Sequence, residues 1–154
     1  MKNYEFQHGK VKETKCQIKR HYTQLTEQEI KCIKSKLAII NINNIDISRH
    51  ASNHINISIK DIRRTFTNYN IVEFNVTYVK GIPNCRVLIR GKDTLDVIVN
   101  NKVVKSNICV VYDFYKKRVC TIYMNDKRDS HDSVDFGRYT DNFTMDIKKL
   151  LTKV

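Results

Sequence analysis

Ile108-Cys109-Val110-Val111-Tyr112 is apolar at every position, the pattern of a strand covered on both faces in the middle of a sheet. The segments on either side of it also read as strands joined by turns. On the C-terminal side, Tyr115-Lys116-Lys117-Arg118 connects to an apolar run from Val119 to Met124. On the N-terminal side, Asn100-Asn101 turns back to a short strand from Leu95 to Val99. Gly91-Lys92-Asp93 then separates that strand from Cys85-Arg86-Val87-Leu88-Ile89-Arg90. Gly81-Ile82-Pro83-Asn84 reads as a turn, because Gly and Pro punctuate there. Ile71 to Lys80 alternates loosely and puts Val72, Phe74, Val76 and Tyr78 on one face. Together these residues predict a mostly antiparallel meander.

Helical signals precede the meander. Thr26-Glu27-Gln28-Glu29 has the form of a capping box, and Ile30, Ile33, Leu37 and Ile40 follow at helical spacing, predicting a helix over about residues 27–41. Lys31, Lys34 and Lys36 fall around its other side. Residues 48–68 predict two short helices, the first capped by Ser48 and the second opened by Ser58-Ile59-Lys60-Asp61. Ile59, Ile62 and Phe66 share a face of the second, leaving Lys60, Arg63 and Arg64 outward. A last amphipathic helix, about residues 143–153, can bury Ile147, Leu150 and Leu151. Near the N-terminus, Tyr4–Gln7, His8-Gly9 and Lys10–Lys12 read either as a short hairpin or as a basic arm. The predicted class is α+β: helices packed on a mostly antiparallel sheet.

The chain has 154 residues, 41% hydrophobic and 29% charged, with four Gly, one Pro and no repeat. That composition predicts one compact domain. No run approaches the roughly 18–20 apolar residues of a membrane span, and the first residues lack the apolar core of a secretory signal, so a cytoplasmic protein is expected. Five cysteines stand far apart without a C-x-x-C pair, as expected of thiols in a reducing compartment; neither a structural metal nor a cofactor is predicted. Glycine-rich phosphate loops and zincin or serine-hydrolase motifs are absent, which disfavours those enzyme classes. The formal net charge is +12, from 28 Lys and Arg against 16 Asp and Glu. An excess of this size predicts a polyanionic partner, and tyrosines interleaved with the cations favour RNA or single strands over duplex DNA.

Two clusters carry candidate chemistry. In Ser48-Arg49-His50-Ala51-Ser52-Asn53-His54 the two histidines share a helix face, with Arg49 beside them and Lys60, Arg63 and Arg64 on the next helix. Histidine moves protons near neutral pH and arginine clamps phosphate, the two capacities that metal-free RNA cleavage requires. In Asp126-Lys127-Arg128-Asp129-Ser130-His131-Asp132, His131 is a second acid–base candidate. Lys116, Lys117 and Arg118 add a basic loop.

With these residues in view, Ile47 to about Asn125 resembles the domain-of-unknown-function and BrnT-type families allied to RelE toxins. The likeness lies in His50-Ala51 with His54, in Ile57-Ser58-Ile59-Lys60-Asp61-Ile62, in the arginine-flanked strand Arg86–Arg90, and in two closing apolar strands. The resemblance implies a RelE-like fold and metal-independent endoribonuclease chemistry. His50 would be its helix histidine, with His54 or His131 as partner, and Arg90 a strand arginine facing phosphate. His54 stands where that family often has arginine. Residues 1–46, a basic extension with its own helix, and the acidic loop and closing helix at 126–154 lie outside the likeness, as in a relative encoded by a phage or mobile element. The residues also leave open a non-catalytic basic module docking on nucleic acid or a host complex, or a protein that meets an acidic protein partner.

Overall fold

The computed structural model describes residues 18–53, 57–129 and 146–152. In chain order the elements are β1 (Ile18–His21), α1 (Glu27–Ala38), β2 (Asp46–Ile47), α2 (Arg49–Asn53), α3 (Ile59–Thr65), β3 (Tyr69–Val79), β4 (Ile82–Val99), β5 (Lys102–Asp113), β6 (Arg118–Asp126) and α4 (Ile147–Thr152). The strands form one six-stranded sheet in the order β1-β3-β4-β5-β6-β2. Every neighbouring pair is antiparallel except β2, which runs parallel to β6. The chain is α+β, as its sequence predicts, and Ile108–Tyr112 lies in β5, one of the two central strands. The N-terminal stretch predicted as hairpin or arm lies outside the described residues.

The helix starts follow their caps. Thr26 Oγ1 accepts from the Glu29 amide at 3.1 Å while the Thr26 amide donates to Glu29 Oε1 at 2.9 Å, a complete capping box. Ser48 and Ser58 accept from the amides of Ala51 and Asp61. Helix α1 ends at Ala38, short of the predicted residue 41, and a 3-10 turn follows at Ile42–Asn44.

The strand boundaries depart from the sequence pattern in three places. The β3–β4 turn is Lys80-Gly81 alone, both at positive φ (52° and 78°), the two-residue geometry that matches strand twist. Pro83 therefore lies inside β4, opposite Tyr78. Strand β5 pairs with β4 only from Arg86 onward, so Pro83 has a single strand neighbour and its missing N–H is tolerated. Second, Gly91-Lys92-Asp93 does not end a strand: β4 continues to Val99, and the register slips between Arg90 and Thr94. The Asn107 amide holds that bulge, donating to the carbonyls of Gly91 at 2.9 Å and Asp93 at 3.2 Å. Third, a bulge between Ile71 and Glu73 turns Val72 away from Phe74 and Val76.

The two faces of the sheet differ. One carries Ile71, Phe74, Val76, Val87, Ile89, Val110 and Val119, packed with Ile33 and Leu37 of α1, Ala51 of α2, Ile62 of α3 and Ile147 and Leu151 of α4. Residues of the predicted N-terminal extension thus share the core of the rest. The other face holds a small cluster, Val72, Leu88 and Cys109, to which no described helix contributes. No helix among the described residues is long and apolar enough to cross a membrane.

Candidate nucleic-acid interface

Strand register builds a polar row across all six strands. Lys19 of β1 pairs with Asn75 of β3, Asn75 with Arg86 of β4, Arg86 with Asp113 of β5, Asp113 with Arg118 of β6, and Arg118 with Asp46 of β2. Alternation places the central members on the face opposite the helix layer, since Val87 and Tyr112 beside them point into the helix-side core. Arg86 Nε lies 3.2 Å from Asp113 Oδ2, with the arginine side chain 38% exposed and the aspartate 0%. Lys19 reaches Glu73 on the next row at 3.2 Å.

Asp113 fixes the end of the sheet. Its Oδ1 accepts from the amides of Tyr115 at 2.9 Å and Lys116 at 3.0 Å, while Oδ2 orients Arg86. The β5–β6 turn it organises carries Lys116 and Lys117, both exposed, with Lys117 at φ 55°. The β3–β4 turn emerges at the same end and carries exposed Lys80. Exposed tyrosines accompany these lysines, Tyr78 at 38% and Tyr115 at 48%. Behind them are three buried polar atoms without a hydrogen-bond partner: Asn75 Oδ1, Asn84 Oδ1 and Arg118 Nε. Guanidinium and ammonium groups suited to phosphate and rings suited to bases meet at one end of the molecule.

The sequence-predicted site residues divide. Lys116, Lys117 and Arg118 belong to this end. Arg49 and His50 are exposed on α2, and Lys60 and Arg64 on α3, in the helix layer. Arg63 is half-buried there, its Nη2 donating to the Asn43 carbonyl at 3.0 Å. A shallow crevice beside Arg64 also presents Asp61 and Asp93, which oppose an anionic ligand. His54 and His131 lie outside the described residues.

Arg90 does not face phosphate. It is 8% exposed, and its guanidinium donates twice to Asn107 Oδ1 and to the carbonyls of Asp126, Lys127 and Asp129. Its role is to fasten the chain after β6 to the sheet. No family model, no curated protein and no solved structure matches this chain.

The site also includes groups that the sequence did not single out. Arg86 and Lys19 are recognisable only through cross-strand register. His21 is 1% exposed, and its Nδ1 lies 2.9 Å from the Thr23 hydroxyl and accepts from the Thr23 amide, so it caps a 3-10 turn.

Among the described residues no group of His, Cys, Asp and Glu could hold a metal ion. The four described cysteines are free thiols. Burial, and secondarily the Asp113 charge, pushes Cys85 up to about 12. Burial pushes Cys109 up to about 11, against the Tyr123 hydrogen bond and the Arg90 charge. In a Cys16→Ser background, a thiol reagent at pH 8 should therefore modify half-exposed Cys32 well before Cys85 or Cys109. The same shifts set a pH dependence. Above the ordinary thiol pKa of 9.0 the unfolded chain releases protons that the folded chain keeps, so stability falls as pH rises through that value. A urea midpoint that is flat from pH 8 to the region of 10–11 would contradict it.

Proposed function

We propose that this chain binds single-stranded RNA in the cytoplasm at the end of the sheet formed by the β3–β4 and β5–β6 turns. The observation that supports this most is the convergence there of exposed Tyr78 and Tyr115 with Lys80, Lys116 and Lys117, backed by Arg86 and Arg118. Duplex nucleic acid hides its base faces, whereas an unpaired strand offers a ring for each tyrosine and a phosphate for each cation. The net charge of +12 adds long-range attraction. The likeness of His50-Ala51 and Ile57–Ile62 to RelE-allied proteins favours RNA over other polyanions.

The test is fluorescence anisotropy with a labelled single-stranded RNA and the corresponding duplex, titrated at several salt concentrations. Wild type should prefer the single strand. Lys116→Glu with Lys117→Glu should weaken binding by about 10–100-fold and flatten the log–log salt slope by about 1.4, because two phosphate contacts are lost. Affinity unchanged by this pair, or equal for duplex and single strand, would sink the proposal.

A catalytic form of this reading rests on His50, which is exposed beside Arg49 at the start of α2. It requires cleavage of end-labelled RNA in EDTA that leaves 2′,3′-cyclic phosphate ends and is lost in His50→Ala. Binding without cleavage leaves a basic binding module.

A further inference from the structure

Arg86 and Arg118 flank Asp113 in the sheet, one register position to either side, so their Cα atoms stand about 10 Å apart. One carboxylate cannot satisfy both. Asp113 spends Oδ1 on the amides of Tyr115 and Lys116 and Oδ2 on Arg86 Nε. Among the described residues the Arg118 guanidinium forms neither an ion pair nor a hydrogen bond, although its Nε is buried. Burial raises the Cys120 thiol while the Arg86 charge acts to lower it, which places that charge close to β6 and so to Arg118. Two guanidiniums with a single carboxylate between them leave an excess positive charge, part-desolvated and without its anion.

We infer that Arg86 and Arg118 seat the terminal phosphomonoester of an RNA strand, not a phosphodiester within it. This rests on the proposed binding of single-stranded RNA and says which part of the strand the sheet face takes. The surroundings select an end. Only the approach over the turns is cationic, through exposed Lys80, Lys116 and Lys117. Past Arg86 the row continues to Asn75 and then to Lys19, which Glu73 already holds at 3.2 Å. Past Arg118 stands exposed Asp46. Along the strands the next cluster on this face is apolar, Val72, Leu88 and Cys109. A polyanion entering over the turns therefore stops at the arginines. A terminal phosphate, with about two negative charges and three free oxygens, suits two guanidinium forks better than a singly charged diester. The turns support a ligand here. Lys80 and Lys117 take φ of 52° and 55°, a region that L side chains disfavour. The β4–β5 turn at the other end of the sheet meets the same demand with Asn100 and Asn101, which tolerate it better. Cations are kept at this end against the preference of the backbone.

The experiment is fluorescence anisotropy of the full chain with an internally labelled single-stranded RNA of one sequence in three forms. One carries a 5′-phosphate, one a 3′-phosphate, and one hydroxyls at both ends. Wild type should bind a phosphate-ended form about tenfold or more tighter than the hydroxyl-ended form, and the preferred form names the end. Arg118→Gln should weaken binding and bring the three forms together, with the melting curve retained because the guanidinium has no partner to lose. Arg118→Lys keeps the charge without the fork and should recover only part of the preference. Equal affinity of wild type for all three forms, or a preference that survives Arg118→Gln, would overturn the inference, while binding of the hydroxyl-ended strand leaves the RNA reading in place. Failure of wild type to bind any form would overturn both.

Discussion

Arg90→Ala should lower the stability of the fold by about 3–5 kcal/mol, among the largest effects available to a single substitution here. The guanidinium donates to a side chain in the sheet, to the carbonyl of Asp126 at the end of β6 and to the carbonyls of Lys127 and Asp129 beyond it. These acceptors do not all suffer equally when it is removed. Lys127 and Asp129 are exposed beyond the end of β6, so water can replace the arginine at their carbonyls. Asn107 has no such access. It is 6% exposed, and its Nδ2 is already committed to the bulge through Gly91 and Asp93. Its Oδ1 would lose two donors and remain buried, a penalty of about 1–3 kcal/mol by itself. Detaching the segment after β6 supplies the rest. Asn107→Ala should therefore couple to Arg90→Ala, the double substitution costing clearly less than the sum. Urea unfolding of the four proteins measures this directly. An Arg90→Ala variant within about 1 kcal/mol of wild type would show that the network contributes little.

Asp113→Ala should be nearly as damaging, about 3 kcal/mol, because it orphans two turn amides and the partner of Arg86 at once. Asp113→Asn separates the contributions. It keeps an oxygen for the Tyr115 and Lys116 amides and removes the charge, so about half the loss should return. It should also move two other observables. The Cys85 thiol, which the Asp113 charge helps to push up, should ionise at lower pH. RNA affinity at the cationic end should rise, since the row loses an anion between Arg86 and Arg118. A variant that is less stable yet binds RNA more tightly would establish that Asp113 serves the fold at the expense of the site. Loss of both properties together would mean that the turn conformation, rather than charge, sets affinity.

What was legible in the sequence was mostly local. The Thr26–Glu29 box and the Ser48 and Ser58 caps link groups three residues apart, so a linear reading finds them. The Asn100-Asn101 turn and the apolar run of β5 were equally plain. Features set by long-range partners were not. Val72 fits the alternation with Phe74, but a bulge against β4 puts it on the other face. Arg90 looked like an exposed strand cation because the carbonyls it binds lie 36 to 39 positions along the chain. Strand β2 is two residues long, too short to leave a pattern. Of the proposed interface, Lys116–Arg118 could be read as a basic run, while Lys19 and Arg86 join it only through register.

The long strand β4 also implies an order of assembly. It is 18 residues long and joins β3 and β5 through two-residue turns, so its pairings close small loops. The edge strands are different, because Ile18 must find Val76, and Ile47 must find Val119, across long stretches of chain. A refolding chain therefore nucleates on the β3–β4–β5 hairpins and acquires its edges last. Until β1 and β2 dock, the outer backbones of β3 and β6 are open to other chains, and in that interval dilution, rather than any added ligand, should most improve the recovery of native protein.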